Sequence, residues 1–324
     1  MSARAENQRR TEQKILLKIK NRPHIMKTYF NSLNDKTANT KKVYINYVLN
    51  FLDYIKSNYN IDIYNNDEIM SLKKSDIENY IQDIRFKDRE HTEEMSPSIL
   101  IARLAAISKL YEIFVDDGEL SINPCEKIKI KRKKKEKEIT YLTKAEYKKI
   151  IKNIYDVEKN VHFYSRDELL FNLGCTTGLR LSALSEIDIS DINLKENYIR
   201  VIEKGDIEKN VYFGNETKEI LLEWLQDRKE FYTCEDALFI IKNGTRMSVR
   251  QIQNLVKQLT YNINKNISPH KMRATCATTL YSKTKDIYLV QEILGHKSVE
   301  TTMNYVRNNV ENKKKAADIL SSVF

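Results

Sequence analysis

Between Lys127 and Lys137 the sequence carries eight basic residues and no apolar period. A packed core has no use for such a run, because Lys and Arg are almost never fully buried without partners. The stretch reads as a linker, and a chain of 324 residues suits two domains of ordinary size. The expected organisation is an N-terminal arm at 1–24, a helical domain at 25–124, the basic linker at 125–140 and a larger domain at 141–324.

Both domains read as mainly helical. Seven glycines and four prolines are too few for the turns of a sandwich or barrel. The first 20 or so residues are basic and weakly patterned, a frayed arm or a short lead-in helix. From Asn39 onward, Tyr44, Tyr47, Val48, Phe51 and Ile55 fall on one helical stripe, with Asn39 or Thr40 as the expected N-cap. Ser75 or Asp76 can cap a second helix, striped by Ile77, Tyr80, Ile81 and Ile84. Ser96-Pro97 opens a third, whose buried row is Leu100, Leu104, Ile107, Leu110 and Phe114, and Asp117-Gly118 closes it. Beyond the linker, Thr143 and Glu146 have the spacing of a capping box. Residues 197–203 and 210–213 read as two short strands, with 204–206 beginning the turn between them. Helices return around Trp224 and again from Ser248. The fold class that follows is mainly α, with a small antiparallel β-sheet in the C-terminal domain.

The net charge of +10 fits a nucleic-acid partner, although many soluble proteins reach such values without one. The basic linker leaves the same two options. It is either a solvated connector or a segment lying along phosphates, in which case Lys129, Lys131, Arg132, Lys133, Lys134 and Lys135 are the candidate DNA contacts. Cys125, Cys175, Cys234 and Cys276 are scattered, with no CxxC pair, and point to a reducing, cytoplasmic setting. No apolar run approaches the ~20 residues that span a bilayer, so no membrane partner is expected.

Four separated pieces carry charge or nucleophilic potential. In CTTGLRLSAL, Gly178 leads to Arg180 at a helix start; a surface arginine paired with Glu186 would look the same. In VIEKGDIEKNVYFG, Lys204 sits at the hairpin turn, where lysines are ordinary. In SPHKMRATCATTLY, His270 and Arg273 share one face of a helix begun by Ser268-Pro269. Near that N-terminus the dipole favours an anion, and a guanidinium offers a phosphate a planar fork. A helix-start histidine beside a surface arginine is the plain alternative. In LGHKSVETTMNYV, Gly295 caps a helix, His296 follows, and Thr301 and Thr302 lead into Tyr305, which could equally be a packed aromatic.

Taken together, the pieces define a task. Two arginines and two histidines can neutralise the oxygens of one phosphodiester and the charge that grows there in the transition state. A lysine can protonate a leaving alkoxide. A phenol, with a free pKa of about 10, becomes a useful nucleophile only beside such cations. No metal-ligand spacing and no P-loop occurs, so the expected chemistry is phosphoryl transfer without a metal or other cofactor.

These residues, in this order, resemble the tyrosine recombinase (phage integrase) family. Its pattern is an Arg after T-G-L, a Lys at a β-turn before Gly, then H-x-x-R, then L-G-H with a Tyr nine residues on. Here these read TGLR (Arg180), EKG (Lys204), HKMR (His270 and Arg273) and LGH (His296) to Tyr305. The match spans roughly 140–310, and the N-terminal bundle is similar in size and helicity to the family's SAM-like core-binding domain. The resemblance implies a two-domain DNA clamp. It also implies that Tyr305 attacks the scissile phosphate, leaving a 3′-phosphotyrosyl bond. Arg180, Arg273 and His296 would stabilise the transition state, Lys204 would protonate the 5′ leaving oxygen, and His270 would assist proton transfer. Implied partners are double-stranded DNA with inverted-repeat core sites and three further copies of the chain, with the tail at 316–324 docking into a neighbour; the residues of the tail would equally suit packing in cis. An integrase, transposon recombinase or resolvase fits, as part of a mobile element. A type IB topoisomerase-like enzyme and a non-catalytic DNA-binding descendant are the alternatives. Three departures from the pattern stand out: Ala183 where an acid is common, Tyr212-Phe213 where Pro-Leu is common, and Ala274-Thr275 where His-Thr is common.

Overall fold

The structure, a computed structural model, describes residues 3–86, 94–131, 140–158, 160–202, 207–265, 267–296, 298–303, 305 and 321. It divides into two compact units, Met1–Glu136 and Lys137–Phe324, so the division falls within the basic stretch. Among the described residues no helix is long and apolar enough to cross a membrane.

The first unit consists of α1 (Ala3–Ile19), α2 (Ile25–Ser32), α3 (Ala38–Tyr59), α4 (Asn66–Met70), α5 (Lys74–Phe86) and α6 (Pro97–Asp116). Of the two readings of the N-terminal stretch, the helix is the one observed. Ile15 and Ile19 of α1 enter the core of the unit, and Glu12 meets the buried Lys41 ammonium of α3 at 2.7 Å. That is why α1 packs rather than frays. The α3 cap lies earlier than expected. Thr37, not Asn39 or Thr40, is the extended residue, and its hydroxyl accepts the Thr40 N–H at 3.4 Å. Helix α5 also begins early, at Lys74, with Asp76 inside the first turn accepting the Lys73 N–H at 2.8 Å. Ser96-Pro97 opens α6 as the sequence predicts. Leu100, Ile107, Leu110 and Phe114 are buried, whereas Leu104 is only partly covered.

The second unit opens with α7 (Lys144–Val157), where both halves of the Thr143–Glu146 capping box form. Then follow α8 (Tyr164–Thr176), α9 (Leu181–Glu186) and three strands, β1 (Ile192–Asn193), β2 (Tyr198–Ile202) and β3 (Glu208–Tyr212). The chain continues with α10 (Asn215–Asp227), α11 (Val249–Leu259), α12 (Pro269–Thr284), α13 (Ile287–Leu294) and α14 (Val299–Met303). The strands form one antiparallel sheet in the order β1-β2-β3, with Ile199 opposite both Ile192 and Val211. Two of the strands were expected, and β3 begins two residues earlier than the sequence indicated. Strand β1 was not expected, because two residues carry no readable period. Ile199, Val201 and Val211 turn into the main core, where α8 lies with nearly its whole length buried.

A smaller apolar cluster stands apart from that core. Cys276 and Ala277 of α12 pack there with Val290 and Leu294 of α13, and Leu280, Tyr281 and Tyr305 cover it. This cluster joins α12 and α13 into the pair that carries the residues discussed next.

Candidate active site

The site is organised by the last turn of α13. A helix end leaves its final carbonyls without intrahelical partners. Gly295 ends α13 in the left-handed conformation at φ 60°, a backbone shape that glycine adopts without steric cost. The reversal turns two N–H groups back: Gly295 N–H donates to the Glu292 carbonyl and His296 N–H to the Gln291 carbonyl, each at 3.0 Å. The next three carbonyls are taken by three cations from three other segments. Lys209 Nζ donates to Ile293 O at 3.2 Å, Arg273 Nη2 donates to Leu294 O, and Arg180 Nη2 donates to Gly295 O at 3.5 Å. The negative end of a helix dipole favours such company.

Arg180 reaches that point from the turn after α8. Gly178 there has φ 63°, and a Cβ on it would lie 2.6 Å from Leu294 Cδ2 and 3.2 Å from Cys276 Sγ. Glycine thus serves both the turn and the close approach of α12 and α13. Two residues on, Arg180 is the extended residue that starts α9.

Arg273 comes from the second turn of α12, behind Ser268 and Pro269. Its side chain is deeply placed, the residue being 4% exposed. Nη1 donates to Gly178 O at 2.6 Å while Nη2 holds Leu294 O, so one guanidinium ties the α8–α9 turn to the end of α13. His270, one turn earlier, lies more open on the cavity rim. Partial desolvation, then the charges of Arg273 and Lys271, hold its pKa below the ordinary histidine value.

His296 and Tyr305 face each other, with parallel rings 5.8 Å apart at 12°. The buried Thr302 hydroxyl lies 2.8 Å from His296 Nδ1 and fixes the ring. Tyr305 N–H donates to Thr302 O at 2.9 Å, so the same threonine sets the phenol. Burial pushes the Tyr305 pKa up, while the Arg273 charge, its hydrogen bond to the phenol and the Arg180 charge pull against that rise without cancelling it. At neutral pH the resting phenol is protonated.

Arg180, His270, Arg273, His296 and Tyr305 line one cavity of about 630 Å³. Five of the six expected catalytic residues are therefore brought together within the second unit. Lys204 lies outside the described residues, although the strands on either side of it are described. Lys129 and Lys131 are exposed near the end of the first unit. Arg132, Lys133, Lys134, Lys135 and the tail residues 306–320 and 322–324 lie outside the described residues. The cavity also takes in Lys271 and Thr301, which lie within the motifs but were given no role, and Gln253 of α11, which no motif marked. Among the described residues no three His, Cys, Asp or Glu side chains gather as a metal-binding group.

Two guanidinium groups, two imidazoles and a tyrosine in one cavity, at the end of a helical unit with a three-stranded sheet, fit the family read from the motifs. The chain belongs to the phage integrase family, the class of tyrosine-type site-specific DNA recombinases; residues 126–312 match the family pattern. Among its relatives, the tyrosine recombinase XerC of Mannheimia succiniciproducens is 30% identical over 286 residues, 85% of this chain and 94% of the relative. XerC of Vibrio parahaemolyticus is 31% identical over 229 residues, 70% of this chain and 72% of the relative. The fold is shared with the XerH recombinase solved with its difH substrate after cleavage, with a TM-score of 0.71 at 21% identity, covering 89% of this chain and 81% of that one. It is shared also with the Tn1549 transposon integrase bound to transposon right end DNA, with a TM-score of 0.67 at 18% identity, covering 90% and 98%. The family resemblance and the mainly helical fold class drawn from the sequence both hold.

Proposed function

We propose that this chain cuts and rejoins DNA through Tyr305. The observation that carries the reading is the shared cavity, which Tyr305 lines together with Arg180, His270, Arg273 and His296. The phenol oxygen attacks the scissile phosphorus. Its proton passes to His270, which is neutral at physiological pH because its pKa is lowered. Arg180, Arg273 and His296 Nε2 bind the non-bridging oxygens as charge builds on them. The bond from phosphorus to the 5′ oxygen breaks, and that oxygen takes a proton from Lys204. The 3′-phosphotyrosyl bond keeps the energy of the broken linkage, so a 5′-hydroxyl from a partner strand can reverse the step without ATP.

The substrate is duplex DNA carrying inverted-repeat core sites, the working assembly is a homotetramer on two such sites, and the setting is the cytoplasm of a cell hosting a mobile element. The first unit is the core-binding domain, the second is catalytic, and the segment at 125–140 passes along phosphates. Exposure of Lys129 and Lys131 supports that last point. Replacing Lys129, Lys131, Arg132, Lys133, Lys134 and Lys135 with Gln is expected to weaken binding to all duplexes alike. It should also flatten the slope of log K against log salt by about one for each phosphate that is no longer neutralised. Binding titrations over a salt series read this directly, and a weakening confined to one sequence contradicts it.

The central reading is tested with a duplex bearing the cognate site and a nick beside the cleavage point, so that the freed 5′ fragment diffuses away. The wild-type chain is expected to form a covalent adduct on a denaturing gel, and digestion should map the attached nucleotide to the peptide containing Tyr305. Specific binding with no adduct would point to a DNA-binding descendant. Relaxation of supercoils without joining of two duplexes would point to a topoisomerase-like activity.

A further inference from the structure

His296 is held in place by Gln291 and Tyr305. Its N–H donates to the Gln291 carbonyl, its own carbonyl accepts the Gln291 side-chain amide at 3.0 Å, and its ring lies parallel to that of Tyr305. Those contacts place the imidazole but leave open which nitrogen carries the proton. The Thr302 hydroxyl decides that. It lies 2.8 Å from Nδ1, and Thr302 is 0% exposed. A hydroxyl has one proton to give, and a buried donor without a partner keeps its full desolvation penalty. Among the described residues, Nδ1 is the acceptor in hydrogen-bond reach of that proton. Were the bond reversed, with Nδ1–H donating to the hydroxyl oxygen, the hydroxyl proton would lose this acceptor. The hydrogen bond made at one imidazole nitrogen sets the state of the other, so an accepting Nδ1 puts the proton of the neutral ring on Nε2.

We propose that Thr302 is a positioning residue that fixes the tautomer of His296, keeping the proton on Nε2 so that a neutral imidazole can donate to the scissile phosphate. The proposal rests on the reading of His296 Nε2 as a partner of a non-bridging oxygen. A lone pair presented there would repel that oxygen, whereas an N–H meets the charge that builds on it. Thr302 also serves the phenol, because its carbonyl accepts the Tyr305 N–H. Valine at this position keeps the branched shape and that backbone bond and removes the hydroxyl. The substitution therefore separates placement of the proton from placement of the two rings.

The test reads the proton directly. The full chain, isotope-labelled at its histidine nitrogens, is studied by long-range proton–nitrogen NMR at about pH 8, above the ordinary histidine pKa of about 6.5. The His296 signals are identified by their loss in His296→Gln. Wild type is expected to show a protonated Nε2 and a bare Nδ1. Thr302→Val should show the proton exchanging between the two nitrogens, and Thr302→Ser should restore the wild-type pattern. Single-turnover cleavage of the nicked duplex should fall roughly 3- to 30-fold in Thr302→Val, short of the ~100-fold or more lost when an oxyanion donor is removed outright. Thr302→Ser should cleave nearly as fast as wild type. A wild-type proton on Nδ1, protons on both nitrogens, or a spectrum or cleavage rate unchanged in Thr302→Val overturns the proposal. If wild type forms the Tyr305 adduct and the spectra disagree, only the role of Thr302 falls. If the spectra are as expected and wild type forms no adduct, the strand-cleavage reading falls and the tautomer assignment stands.

Discussion

Tyr305→Phe should leave DNA affinity unchanged and reduce covalent adduct to background, a fall on the order of 10⁶-fold, the size seen when an enzyme loses its nucleophile. The substitution removes one oxygen. The ring keeps its parallel contact with His296 and its place against the cluster of Cys276, Ala277, Val290 and Leu294, so neither the cavity nor the α12–α13 pair should shift. What disappears is an oxygen whose proton affinity is set by two opposed effects. Burial raises the pKa, and Arg273 with Arg180 draws it down only in part. The resting phenol is therefore neutral and harmless to stray electrophiles. On the proposed mechanism it would become reactive when a phosphate brings it beside a proton acceptor, the role proposed for His270, which lines the same cavity. Mobility-shift titration and a labelled nicked duplex on a denaturing gel measure the two quantities. Adduct persisting in the Phe variant would assign the nucleophile to another residue.

The parts of this site that were legible in the sequence are those announced by local backbone chemistry. Gly178 and Gly295 mark left-handed turns, and Ser268-Pro269 marks a helix start. Each stands within three residues of a functional side chain, so the motifs could be placed on their elements correctly. Helices α3, α5 and α6 of the first unit were readable for a similar reason, as stripes with clear breakers, whereas the short α2 and α4 were not read from the sequence. The boundaries of those three were less readable. Thr37 and Asn39 are both competent caps, and it is the extended Thr37 whose hydroxyl takes the Thr40 N–H.

Contacts across long stretches of sequence were not legible. The Arg273–Gly178 bond spans 95 residues and the Arg180–Gly295 bond spans 115. The sequence pointed to Glu186 as support for Arg180, because a carboxylate is the partner a reader looks for beside an arginine. The structure offers a helix-end carbonyl as well, a group every residue carries and no composition reveals. Lys209 went unnoticed on the same ground: its partner is the backbone of Ile293, 84 residues away.

Arg273→Ala should lower both cleavage and stability, and the pairing of the two losses is the informative result. The guanidinium lines the same cavity as the phenol and its charge acts on it, so its removal should cost about 3–4 kcal/mol of transition-state stabilisation, roughly 100- to 1,000-fold in single-turnover rate. It is also a structural clamp, only 4% exposed, holding Gly178 O and Leu294 O together. Alanine leaves a void and two carbonyls lacking that donor, each buried unsatisfied group costing about 1–3 kcal/mol, so the denaturation midpoint should fall as well. Arg273→Lys should recover little of either loss, because a single ammonium cannot present the planar fork that spans two carbonyls and a phosphate. Arg180→Ala provides the contrast. Arg180 is less buried and its bond to Gly295 O is long at 3.5 Å, so cleavage should fall by a similar factor while stability moves by less than about 1 kcal/mol. Denaturant melts and single-turnover cleavage of the four proteins, wild type included, separate the two roles. An Arg273→Ala chain as stable as wild type would show that the α8–α9 turn and the end of α13 are held together by the packing of Leu294 and Cys276 alone.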